Sequence, residues 1–123
     1  FVVIDSVDGF IDSQKTDNAL NVRGVWYDNN LSFSYSLTVQ ELDELGNVFD
    51  DDVSTSADGS SISSEGHFDL HVNVDGTKIN PNHHYRVYID AFDRDTLTAS
   101  YAYYPVVVWN RTYIPVVPLS AAR

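Results

Sequence analysis

Leu31, Phe33, Tyr35, Leu37 and Val39 fall on one parity of residues 31–39, with Ser32, Ser34, Ser36 and Thr38 on the other. Successive side chains of a β-strand point to opposite faces, so this run lays an apolar face on a core and a hydroxyl face on solvent. The same period recurs twice. Phe68, Leu70, Val72 and Val74 alternate with His67, Asp69, His71 and Asn73; Tyr85, Val87, Ile89 and Ala91 alternate with Arg86, Tyr88 and Asp90. Residues 39–45 form the one short stretch with helical spacing, and it stops at Gly46. Weaker strand patterns fit residues 2–7, 20–27, 48–54 and 97–108. About seven strands at this spacing predict an all-β antiparallel sandwich. Residues 28–30, 50–52 and 54–64 are read as loops, the last a mobile surface loop, rich in Ser and open to O-glycosylation.

Eighteen acidic residues against seven basic ones give a formal charge of -11. Such a field repels phosphate backbones and anionic lipid, so neither nucleic acid nor a membrane surface is an expected partner. No apolar run approaches the roughly 18 residues that span a bilayer, so membrane insertion is not expected. The chain has no Cys, which removes disulfides, thiolate chemistry and Cys-based zinc sites. Its 123 residues suit one core. The start at Phe1, without any Met, reads as a processed chain or an excised domain. Abundant Asp, Ser, Thr, Asn and Tyr point to an extracellular or cell-surface location.

Residues 79–93 contain Ile79, Pro81 and Tyr85 ahead of the aliphatic positions Val87, Ile89 and Ala91. This order resembles the entry to strand F of fibronectin type III and related immunoglobulin-like domains. There a tyrosine ring plugs the core while its hydroxyl bonds backbone at the bend, a tyrosine corner. Residues 20–28, followed by 31–39, resemble strands B and C of bacterial immunoglobulin-like surface repeats, with Trp26 as the buried indole. The resemblance implies an Ig-like or fibronectin-III-like sandwich with an adhesive or structural role.

Strands up to residue 108 complete such a domain, leaving 109–123 as an apolar C-terminal extension. Tyr113, Ile114, Val116, Val117 and Leu119 would each lose about 1.5–3 kcal/mol if left in water rather than fully buried, so they call for a groove. One reading makes the segment an assembly strand donated to a neighbour, which polymerises the chain into a filament. The other folds it onto its own domain as an edge strand, or uses it as a linker kept extended by Pro115 and Pro118. The function favoured is a structural subunit of a filament or adhesin, with copies of itself or neighbouring Ig-like domains as partners. The alternative is a carbohydrate- or calcium-binding accessory module.

Asn30 and Asn110 begin N-glycosylation sequons. Asp90, Asp93 and Asp95 are candidate oxygen ligands for Ca²⁺, resembling a cadherin-type calcium motif. No other cofactor is expected. His67 and His71 lie about 13 Å apart along a strand, too far to chelate one metal ion together, and the four histidines are read as surface residues. Tyr27, Tyr101, Tyr103, Tyr104 and Trp109 are candidates for either a sugar-stacking platform or packing. No nucleophile elbow, phosphate loop or metalloprotease helix occurs, so catalysis is not expected and no catalytic residue is assigned.

Overall fold

Eight strands form two four-stranded antiparallel sheets that close on one core in the computed structural model, which describes residues 1–27, 34–62, 66–93, 96–103 and 105–109. In chain order the strands are β1 (Val2–Asp8), β2 (Ile11–Asp12), β3 (Asn18–Trp26), β4 (Ser34–Leu42), β5 (Val48–Asp50), β6 (Ser54–Ile62), β7 (His67–Val74), β8 (His84–Asp93), β9 (Thr96–Tyr103) and β10 (Val108–Trp109). One sheet has the order β1-β3-β7-β6 and the other β5-β4-β8-β9, while β2 and β10 form a short parallel pair.

The period of two decides which side chains enter the core. From β3 and β7 come Leu20, Val22, Trp26, Phe68, Leu70, Val72 and Val74; from β4 and β8 come Leu37, Val39, Tyr85, Val87, Ile89 and Ala91. Between Ile4 and Ser6 the pairing of β1 with β3 slips by one residue. That bulge turns Val7, rather than Ser6, toward the core. Gly24 sits on the inner face of β3, where a Cβ would come within 2.0 Å of the Val3 carbonyl oxygen and 2.5 Å of the Phe68 ring.

Four expectations change at turns. Residues 54–64 were expected to be a loop, yet residues 54–62 are strand β6, paired along β7. The Asp58-Gly59 signal marks a bulge there: Gly59 takes φ +120° without ending the strand. Residues 48–54 do not make one strand. Asp50 and Asp52 accept the backbone N–H groups of Asp52 and Ser54 at 3.0 and 2.9 Å, and this bend carries the chain from β5 in one sheet to β6 in the other. Residues 97–108 likewise divide into β9 and β10, because Pro105 supplies no N–H to a ladder. The helical spacing of residues 39–45 is overridden by tertiary pairing: β4 runs on to Leu42, and Asp43 then closes a turn by accepting from the N–H groups of Leu45 and Asn47, both at 2.9 Å.

Phe1 and Trp109 lie at opposite poles. The Phe1 and Tyr27 backbones bond each other at the start of β1. Trp109 pairs beyond the far end of β1, beside Asp12, and the seven residues of β1 span about 20 Å.

Replacing Gly24 by Ala is expected to destabilise the fold by about 1–3 kcal/mol through overpacking against β1 and Phe68. Urea denaturation of the two proteins checks this.

Candidate functional site

Apolar positions on β4 run Leu37, Val39, and the next residue of that parity is Glu41. The alternation therefore carries a carboxylate onto the core face at the far pole, directly across from Tyr85 of β8. Glu41 is 7% exposed, and its Oε2 lies 2.5 Å from Nδ1 of His83. The ring of Phe49 packs edge-on against that imidazole, with centroids 4.9 Å apart.

Tyr85 anchors the same corner. Its hydroxyl accepts the N–H of Asn80 at 2.8 Å and donates to the Asn80 carbonyl at 3.2 Å, pinning the segment between β7 and β8 to the core. Burial, reinforced by the neighbouring Glu41 carboxylate, pushes the Tyr85 phenol up to about 12, against the opposing pull of the Asn80 hydrogen bond. Asp75 caps the 3₁₀ turn Gly76–Lys78 by accepting the Thr77 N–H at 2.9 Å, and the hydrogen bonds from Thr77 hold its carboxyl below the ordinary range.

These elements enclose a cleft of about 210 Å³, with Glu41, Asp50, Asp75 and Lys78 supplying charge and Val53 and Ile79 apolar surface. Phe49, Val48 and Leu45 stay exposed on β5 and its turn. A carboxylate–imidazole pair can orient a general base. Here, among the described residues, the His83 ring bonds only to Glu41. The arrangement is a polar clasp between β4 and the corner before β8, bordering an acidic, partly apolar cleft.

A second cleft of about 200 Å³ lies beside β2, near Phe10, Lys15 and Asp17. Its polar centre is occupied by structural bonds. The Asn18 side chain accepts the Asp12 N–H at 2.8 Å and donates to the carbonyls of Lys15 and Val74 at 2.9 and 3.1 Å.

His67 and His71 are exposed on β7, with His71 Nδ1 3.8 Å from Asp58. Asp69, between them in sequence, bonds instead to Asn21 and Arg23, at 2.5 and 3.4 Å, and the Asn21 bond is the main cause of its lowered pKa. His83 departs from the expected surface role, since its side chain is 10% exposed in the clasp with Glu41. Asp90 accepts from the Ser100 hydroxyl at 2.5 Å, and strand alternation sends Asp90 and Asp93 to opposite faces of β8. Asp95 lies outside the described residues. Among the described residues no group of three or more His, Asp or Glu side chains gathers as metal ligands. The sequons at Asn30 and Asn110, and the assembly residues Tyr113, Ile114, Val116, Val117 and Leu119, also lie outside the described residues.

The aromatic set divides. Tyr27 stacks on Phe1 at 5.5 Å near one pole, and Trp109 tilts against Phe10 at 6.0 Å near the other. Tyr101 and Tyr103 pack against the core from β9, while Tyr104 lies outside the described residues. Comparison with family models, curated proteins and solved structures finds no match to this chain.

Tyr85→Phe is expected to cost about 1–3 kcal/mol by leaving Asn80 backbone groups unpaired. Because the folded-state phenol is raised, its stabilising contribution is full below the ordinary value near 10 and is lost as pH climbs to about 12. Urea midpoints followed across that window should fall less steeply for Tyr85→Phe. Glu41→Ala and His83→Ala should be coupled in a double-mutant cycle, by about 0.5–3 kcal/mol, because each removes the other's buried partner.

Proposed function

We propose that the protein is an immunoglobulin-like module serving as a structural subunit of an extracellular filament or adhesin. It joins copies of itself, or neighbouring Ig-like domains, through its C-terminal segment. Support for the Ig-like assignment comes from the order β1-β3-β7-β6 facing β5-β4-β8-β9, which matches an A-B-E-D sheet packed on a C′-C-F-G sheet. The Tyr85 corner and the Trp26 indole, 1% exposed in the core, fit the same family pattern.

The observation that carries the functional reading is the placement of Phe1 and Trp109 at opposite poles. A module entered at one end and left at the other repeats naturally along an axis, and a non-closing head-to-tail contact propagates into a fibre. The residues after Trp109 supply the apolar side chains from Tyr113 to Leu119 that such a contact needs. Division of the exposed aromatic residues between the two poles supports contact at the ends over a broad sugar platform on one face.

Removing residues 112–123 should leave a folded monomer that forms no filaments under negative-stain electron microscopy. Filaments that persist without the segment would refute the reading.

A further inference from the structure

We propose that the cleft beside Glu41 and Asp50 is the seat of residues 110–123 from a second copy of the chain. This rests on the subunit reading above and adds the acceptor surface. Charge is the first argument. All eighteen acidic residues lie before position 110, whereas residues 110–123 hold Arg111 and Arg123 and no acid. The segment is therefore cationic and apolar, and the cleft is its complement: Asp50, Asp75 and Glu41 outnumber Lys78, with Val53 and Ile79 between them. Exposed Val48 and Phe49 extend the apolar surface beyond the cleft.

Reach is the second argument. Fourteen residues extend to about 46 Å, more than the roughly 33 Å of the ten-residue strand β8. A segment leaving one copy at Trp109 can thus run along the next copy and reach the cleft at its far pole, which preserves head-to-tail order. The third argument concerns proline. Pro115 and Pro118 lack donors for a continuous ladder, but a cleft that takes side chains between acidic walls does not require one.

The test uses the full chain with reversed charges. Asp50→Lys with Asp51→Lys alters the exposed acidic side, and Arg111→Glu with Arg123→Glu alters the segment. Each pair is expected to raise the concentration for half-maximal assembly, read by sedimentation, about tenfold or more through like-charge contact. All four substitutions together should restore assembly, a rescue that misfolded variants would not show. In an equimolar mixture of the two reversed chains each segment meets opposite charge in the other chain's cleft, so the mixture should assemble with the two chains alternating. Assembly unaffected by cleft reversal, or no rescue in the fourfold variant, overturns the proposal. Monomers alone in the mixture also overturn it, because complementary segments and clefts are then present on different copies and do not join. Filaments that require residues 112–123 but ignore cleft reversal remove the cleft while leaving the subunit reading intact; an unmodified chain that never assembles removes both.

Discussion

A sandwich without cysteine has to hold its two sheets together chiefly by side-chain burial, joined here by a bond from the Tyr35 hydroxyl to the Gly59 carbonyl across the sheets. In this chain the task falls on two central strand pairs, β3 with β7 and β4 with β8, each in continuous antiparallel register. Their inner faces supply most of the buried side chains, each gaining about 1.5–3 kcal/mol when fully buried. Trp26 and Tyr85 are the two largest fully buried side chains among the described residues. The outer strands β1, β5, β6 and β9 carry the irregularities, including the bulges at Asp5 and Gly59. Slips there re-aim single side chains, whereas a slip in a central pair would turn an entire apolar face outward.

Polar chemistry is set at the ends of this frame, where alternation meets the turns. Asp43, Asp50, Asp52 and Asp75 each accept a backbone N–H two residues ahead, so much of the acidic charge serves as turn hardware. Glu41 differs because it stands on the core face, where solvation is lost and a partner is required. His83 provides that partner, and Tyr85 holds the segment that carries His83 in place. The clasp, the corner and the acidic cleft are thus one construction.

The same construction bears on the proposed assembly. Acidic turns at the far pole surround apolar surface on β5 and in the cleft, while the chain after Trp109 turns apolar and basic. Opposite character in two parts of one chain favours contact between unlike surfaces and disfavours contact between identical ones. The proposed head-to-tail arrangement brings these unlike surfaces together.

Alternation in residues 31–39, 67–74 and 85–91 was enough to determine an all-β sandwich and to place Tyr85 inside it, because strand period and burial are written locally; the inward place of Trp26 was legible only through the resemblance of residues 20–28 to immunoglobulin-like strands. Glu41 was also legible by counting two residues past Val39, but it falls within residues 39–45, whose helical spacing competes with the strand parity. Its pairing with His83, 42 positions away, depended on the register of β4 with β8 and on the bend before β8. Strand β6 was hidden because Ser and an Asp-Gly pair favour loops locally; pairing with β7 overrode that preference and turned the glycine into a bulge. The sequence by itself determined which faces are buried. Only the tertiary structure decided which distant residues share a site, because local periodicity specifies a direction for each side chain but not its neighbour across a sheet.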